Sequence, residues 1–441
     1  MNRSPDRIGL IFTSPSKPTR PIAGPPRTIG YAMNEEKTSK FFYGYIIALA
    51  CSLIQGIGVG TYVAFGVFFK PLLAEFGWSR ATLSGASSLA FVLMGFLGIL
   101  VGNLNDKFGP RSVMAVTGFF YGIGHFLLSQ LNSVWHLYLF FGLVVGIGLS
   151  SIDVIPLTTT ARWFVRRRGM MTGLVKVGTG AGQVTLPLLA GIFIMNYGWR
   201  TAYVFIGIIV LVVIIGSGQL LRRDPAQMGQ LPDGDRKISK SQLDPFEGGL
   251  SFQEALHNWQ FWMVCIVSFL AGYCMLTIMV HIVAHATDMG IDQIKSAGVL
   301  STIGGVSIVG RLSIGAAIDR IGNTKSMIIC FNLLIASFLW LLVADEIWML
   351  YLFAMLYGIA HGGIFTVLSP IVAELFGIGS HGVLFGIVAF SLTIGGAMGP
   401  VVAGHIFDIA RSYQPVFLIL VGVGIAALSL TLFLQRTIRK A

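Results

Sequence analysis

The chain has 441 residues, 54% hydrophobic and 11% charged, against about 25% charge in an ordinary soluble domain, which excludes a soluble enzyme. The hydrophobic fraction, about 238 residues, matches the ~240 positions that twelve helical spans of about 20 residues require. A net charge of +11 would suggest nucleic acid in a soluble protein, but these cations sit in loops between apolar runs with no aromatic-interleaved basic face, so no nucleic-acid partner is expected.

Residues 1–40 carry seven Lys or Arg, three acids and six of the sixteen prolines, with no sustained apolar run; this composition predicts a disordered cytoplasmic tail. The Arg-rich, Ser-containing first 32 residues also imitate a transit peptide, and Met33, which opens the charged stretch NEEKTSK, offers an alternative start behind them. From Tyr43 onward twelve apolar segments follow, at 43–69, 80–104, 111–130, 135–160, 169–195, 201–221, 259–286, 296–318, 325–344, 347–373, 381–407 and 413–434. Each is long enough for a membrane-spanning helix, in which every backbone group is satisfied internally. The polar stretch 222–258 divides them six and six, giving an N-terminal bundle over 41–221, a C-terminal bundle over 259–434 and a second tail over 435–441. With the tails inside, cytoplasmic segments hold 23 Lys or Arg and external ones five; cations resist translocation, so both termini are predicted to be cytoplasmic and the protein to lie in the plasma (inner) membrane. Cys51, Cys265, Cys274 and Cys330 each stand alone in an apolar segment, without the spacing of a metal site or a disulfide frame. No metal or cofactor is expected.

The two halves repeat each other at one offset. Adding 213 carries Gly77 to Gly290, Gly85 to Gly298, Asp106 to Asp319, Gly109 to Gly322, Gly182 to Gly395 and Pro187 to Pro400. The fold class is therefore an all-α polytopic membrane protein of two six-helix bundles, and transporters built from such repeats place their site between the halves near mid-membrane.

The loop after span 2 reads GNLNDKFGPR (Gly102 to Arg111) and the loop after span 8 reads GAAIDRIGNTK (Gly315 to Lys325). This pair resembles the duplicated signature of the major facilitator superfamily, which implies Asp106, Arg111, Asp319 and Arg320 as gating residues that bind neighbouring helix N-termini and cations when the inner gate is shut. The simpler alternative is that these are loop charges that assist insertion. Two further stretches, GVFFKPLLAEFGWSRATLSG (Gly66 to Gly85) and RWFVRRRGMMTGLVKVGTGAGQ (Arg162 to Gln183), resemble the monocarboxylate transporter family and its relatives, the bacterial oxalate/formate antiporters. Gly178, Gly180 and Gly182 do not form a dinucleotide fingerprint, and no phosphate-binding loop occurs elsewhere.

Arg311 lies eight residues before Asp319, hence ~12 Å inside the membrane at 1.5 Å per residue. A guanidinium there stays charged and costs ~3 kcal/mol or more unless it meets water or an anion. An anionic substrate headgroup is the expected partner, and in the monocarboxylate family the Arg at this position pairs with the substrate carboxylate. A structural ion pair or a snorkelling cation is the alternative. Asp153 precedes Arg162 by nine residues and Lys176 follows Arg168 by eight on the next, antiparallel span, so both lie at comparable depth and can pair. The pair reads as a lock between spans 4 and 5, as a proton-titrating Asp linked to transport, or as Lys176 making a second anion contact. An unperturbed imidazole has a pKa near ~6.5, so His281, in span 7, is the third coupling candidate, ahead of His125, His285 and His361 because span 7 usually lines the pathway in the fold that the resemblance implies; a satisfied interhelical hydrogen-bonder is the alternative for each. Tyr62, Tyr121, Tyr357, Phe365 and Phe390 are candidates for the apolar side of a small-acid pocket, or ordinary packing residues.

The family pattern fails at two informative places. Proton-coupled animal members carry an Asp four residues before the span-8 Arg and a Lys in span 1, where this chain has Ser307 and Val63; the oxalate relatives use a second cation in span 11, where Gly396 stands. One fixed Arg argues for one carboxylate rather than two. The sequence thus reads as a secondary transporter of small monocarboxylates such as lactate, pyruvate or acetate, by alternating access with proton symport as the favoured coupling. Its partners are the small anion, a proton and the lipid bilayer, with no obligatory protein partner evident. The alternatives are an anion exchanger of the oxalate/formate type, with Lys176 supplying the second cation, and a non-transporting membrane sensor.

Overall fold

The computed structural model describes residues 41–235 and 250–438, so the tail expected over 1–40 lies outside the described residues. Among the described residues there is no strand, and ten helices are long and apolar enough to cross a membrane. The longest of these, Arg168–Leu220, is broken at Gly198, whose φ of 77° and ψ of 162° are not helical. The rings of Phe193 and Phe205 lie 5.3 Å apart across that break, and Trp163 Nε1 donates to Arg222 O at 2.8 Å. The chain therefore folds back at Gly198 into two arms. An eleventh helix, Pro110–Leu128, is a short 19 residues and dilutes its apolar run with Arg111, Ser112, Thr117 and His125.

Counting both arms, twelve long helices result: α1 Gly44–Phe76, α2 Arg80–Phe108, α3 Pro110–Leu128, α4 Val134–Trp163, α5 168–197, α6 199–220, α7 Trp259–Asp288, α8 Gln293–Ile321, α9 Asn323–Leu341, α10 Ile347–Phe376, α11 His381–Ala410 and α12 Gln414–Ile438. They match the predicted segments one for one and run several residues past most of them. The reason is that a helix does not stop where the apolar run does: α1 continues through Lys70 and Pro71 until Gly77, at φ 64°, donates its N–H back to Leu73 O. Part of the expected linker is structured. Asp233 accepts the backbone N–H groups of Val165, Arg166 and Arg167 at 2.9–3.3 Å, and a short helix, Phe252–His257, is held by a capping box in which Glu254 accepts the Ser251 N–H at 2.8 Å. Those bonds keep the Glu254 carboxyl below the usual carboxylate range.

The internal repeat is legible in three dimensions. A Cβ on Gly182 would strike Gly56 O, and one on Gly395 would strike Phe269 O, the residue 213 beyond Gly56. Likewise Gly85 packs on the Tyr138 hydroxyl and Gly298 on that of Tyr351. Absent side chains let helices approach to backbone contact, the membrane substitute for hydrophobic driving force, and this joins α1 to α5 and α7 to α11. The turns after α2 and α8 repeat as well, with Gly109 at φ 82°, ψ 165° and Gly322 at φ 88°, ψ 163°, a backbone region that is essentially glycine's alone.

The halves meet at one end, the basic end that carries Arg162, Arg166, Arg167, Arg222 and Arg223. There a Cβ on Gly102 would meet Gly382 O, and one on Gly169 would meet Gly315 O. Toward the opposite end, the nearest described atoms facing Gly85, Gly191, Gly298 and Gly404 all belong to their own half. The structure is thus closed at the basic end.

Candidate functional site

The closure is held by charge. Asp319 accepts the N–H groups of Gly169 and Met170 at 2.7 and 2.9 Å, on the first turn of α5. Asp106 accepts the Val383 N–H at 3.3 Å, on the first turn of α11, and Val383 is Met170 shifted by 213. Each carboxylate thereby satisfies orphan N–H groups at a helix N-terminus of the other half, where the dipole favours negative charge. The cation of this gate is Arg162, which donates to Asp106 Oδ1 at 3.2 Å, to Asp224 Oδ1 at 3.3 Å and to Ile378 O at 2.8 Å. Arg111 and Arg320 are exposed and form no ion pair among the described residues, where the gate's charge network runs through Arg162 instead. Arg111 lies in the first turn of α3 and Arg320 in the last turn of α8; Arg162, at the end of α4, points between the halves.

Behind the gate lies a cavity of about 280 Å³ lined from both halves. Its charged lining residues are Asp153 on α4, Lys176 on α5 and Arg311 on α8, with His361 on α10 and Gln183 and Thr179 on α5 as polar company. Arg311 is 2% exposed, and its Nε and Nη1 are buried without any hydrogen-bond partner among the described residues. Room for the guanidinium comes from Gly180, where a Cβ would lie 2.6 Å from Arg311 Nη1 and 2.6 Å from Ile308 Cγ1. The helix itself is seated by Gly173, against Arg311 O, and by Gly362, against Ser307 O.

Lys176 and Asp153 do meet: Nζ donates to Asp153 Oδ1 at 2.5 Å. Gln55 on α1 completes the cluster, donating from Nε2 to Asp153 Oδ1 at 2.8 Å and to Ile152 O at 3.0 Å, while its Oε1 accepts from Thr179 at 2.6 Å and from Lys176 at 3.4 Å. The Lys176 ammonium also lies 5.6 Å from the centroid of the Phe365 ring, a cation–π distance. Lys176 is 4% exposed, whereas the Asp153 side chain keeps 34% exposure toward the cavity.

The aromatic candidates divide. Tyr62 lines the cavity, hydrogen-bonded to Ser87, and Phe365 lines it from α10. Tyr121 and Tyr357 do not reach it; each is fully buried and spends its hydroxyl on a carbonyl, Gly58 O and Met275 O respectively, both at 2.6 Å. Phe390 packs between α2 and α11 against Gly95 and Phe96 and is absent from the lining. His281 also lies outside the cavity, 2.9 Å from Pro400 O and 3.1 Å from the Tyr413 hydroxyl. Val63 borders the cavity, while Ser307 turns its hydroxyl back to Gly304 O at 2.7 Å.

Two repeated helical bundles around a charged central cavity, shut at one end by paired carboxylates, define a membrane carrier. The family model of the Major Facilitator Superfamily matches residues 48–329 and 306–441, and the chain belongs to that superfamily. Among curated proteins it is similar to monocarboxylate transporter 13 of Bos taurus, 27% identical over 86% of this chain and 86% of the relative, and to monocarboxylate transporter 4 of Rattus norvegicus, 25% identical over 89% and 83%. Among solved structures it resembles the human organic anion transporter TETRAN, with a TM-score of 0.70 at 16% identity over 88% of this chain and 99% of that one. A second neighbour, FucP in the outward conformation, has a TM-score of 0.71 at 16% identity over 89% and 99%. The structural likenesses establish the fold. The protein is an integral membrane transporter, and its relatives are transporters, not enzymes.

Proposed function

We propose that the protein carries small monocarboxylates of the lactate, pyruvate or acetate type, with Arg311 holding the carboxylate. The observation that carries this reading is Arg311 itself: a permanent charge, 2% exposed, bordering the cavity with no protein acceptor among the described residues. Stranding a charge costs several kcal/mol, so the site is built for an anion that comes and goes, and the planar fork of a guanidinium matches a carboxylate bidentately. Tyr62, Phe365 and the methionines Met94 and Met279 give the cavity an apolar flank suited to a short aliphatic acid. Relatives named monocarboxylate transporters support the same cargo.

The proposed cycle is alternating access. The N-terminal bundle (41–221) and the C-terminal bundle (259–434), joined by the 222–258 linker, rock about the cavity, breaking the Asp106–Arg162 and Asp319 contacts when the basic end opens. The excess of cations at that end supports a cytoplasmic side for it and for both termini; in a plasma membrane the described state then faces outward. Symport with a proton is the favoured coupling, because a monoanion and a proton cross together without net charge. Of the coupling candidates, Asp153 and Lys176 border the cavity and His281 does not. The test is uptake of labelled mono- and dicarboxylates into proteoliposomes with imposed pH steps. Uptake of lactate driven by an inward proton gradient alone is the expected result; uptake that requires trans substrate and ignores the gradient would replace symport with exchange, and no carboxylate flux at all would refute the reading.

A further inference from the structure

The cavity lining includes two cations and one anion, from three different helices. Lys176 and Gly180 are one turn apart on α5 and share a face, and the Arg311 guanidinium lies over Gly180. The two cations are therefore close neighbours on one side of the cavity. Yet Lys176 is not available: Asp153 holds its ammonium at 2.5 Å, and Gln55 and Phe365 occupy its other sides. Asp153 is held from two sides in turn, by Lys176 and by Gln55 Nε2, and among the described residues no other acid borders the cavity.

We propose that Asp153 is a specificity-determining residue: by pairing with Lys176 it sets the charge of the cavity at +1, so the site accepts one carboxylate and rejects a second. This rests on the reading of Arg311 as the carboxylate anchor. A dicarboxylate seated on Arg311 places its second charge beside Lys176, where it meets a cation already neutralised and the partly exposed oxygens of Asp153. Removing the Asp153 charge unmasks Lys176 and makes the cavity +2. A unit charge about 6 Å away at an effective dielectric of about 20 changes anion affinity by roughly tenfold to a hundredfold, and the change falls on the second carboxylate.

The experiment is inhibition of labelled lactate uptake by acetate, oxalate and malonate in proteoliposomes at one fixed pH near neutrality. Asp153→Asn is expected to lower the inhibition constants of oxalate and malonate relative to acetate by about tenfold or more. Adding Lys176→Gln to it returns the cavity to +1 and is expected to restore the wild-type ratio, a rescue that mere repair of packing does not produce. Val63→Lys adds a cation on an exposed lining position of α1 without touching the pair; it is expected to shift the ratio the same way and decides the matter should Asp153→Asn fail to fold or, as a coupling residue would, fail to take up lactate. A folded Asp153→Asn protein with an unchanged ratio, a double variant that keeps the dicarboxylate gain, or a Val63→Lys protein without the shift would overturn the proposal while leaving the anchor reading intact. Wild-type protein that takes up no carboxylate, or does so independently of Arg311, would instead remove the reading beneath it.

Discussion

Gly180 offers a way to disturb the proposed anchor without altering a single charge. A Cβ there would sit 2.6 Å from Arg311 Nη1 and 2.6 Å from Ile308 Cγ1, where ordinary contacts begin near ~3.5 Å. In Gly180→Ala both groups must therefore withdraw by roughly 1 Å. Ile308 is on the same helix as Arg311, whose own backbone is held by Gly173 on one side and Gly362 on the other, so the helix cannot simply slide away. The strain falls on the Arg311 rotamer, at about 0.5–1.5 kcal/mol for an off-rotamer torsion, and overpacking brings the sum to about 1–3 kcal/mol. Part of it is spent on stability and part on binding, because the guanidinium fork must then meet its carboxylate from a displaced position. The expected outcome is a rise of roughly 5- to 50-fold in the KM for lactate in protein that still elutes as a single species in detergent. Proteoliposome uptake across a range of lactate concentrations measures it. An unchanged KM in a well-folded Gly180→Ala protein would show that the guanidinium's seat against α5 has no bearing on cargo binding.

The remaining predictions follow from the same geometry. Asp153→Ala and Lys176→Ala each leave a charge without its partner and are expected to lower stability, by an amount toward the lower end of about 3–5 kcal/mol because Asp153 is partly exposed, read as a lower melting temperature; a double Asp153→Ala/Lys176→Ala protein that melts no higher than the singles would contradict the pairing. Asp319→Ala removes the acceptor for the Gly169 and Met170 N–H groups, so the closed basic end should lose about 1–2 kcal/mol, read as faster thiol labelling of a cysteine placed at Ile318, which is buried against Gly169 in the closed end. Gly322→Ala forces a side chain onto φ 88°, ψ 163°, and a loss of about 1–3 kcal/mol in thermal stability is expected, with the matching loss for Gly109→Ala.

The architecture was legible because the information that fixes it is one-dimensional. Apolar runs, the polar break at 222–258 and the 213-residue offset are all read along the chain, and the twelve helices follow them. Depth was legible for the same reason: counting residues from Arg162 and Arg168 brought Asp153 and Lys176 to one level, and they pair at 2.5 Å. Rotation about the helix axis was not legible. A span such as α10 carries large apolar residues all round, so little in its pattern distinguishes a face that borders the cavity from one packed within the bundle. Tyr357 on α10 therefore looked like a pocket residue, as did Tyr121 on α3, and both are instead hydrogen-bonded inside their own halves. Gln55 was missed although a lone amide in an apolar span is itself a signal, and it joins Asp153, Lys176 and Thr179. Arg162 was passed over as one of four loop cations, since only the folded chain shows which of them turns inward.

The account rests on a guanidinium whose acceptor arrives with the cargo, and the most direct measurement is the initial rate of lactate uptake by Arg311→Ala and Arg311→Lys in proteoliposomes. The predicted result is loss of uptake by about a hundredfold or more in the alanine protein, with the lysine protein retaining a small fraction because an ammonium keeps the charge and forfeits the fork. Uptake at the wild-type rate by a folded Arg311→Ala protein would contradict it.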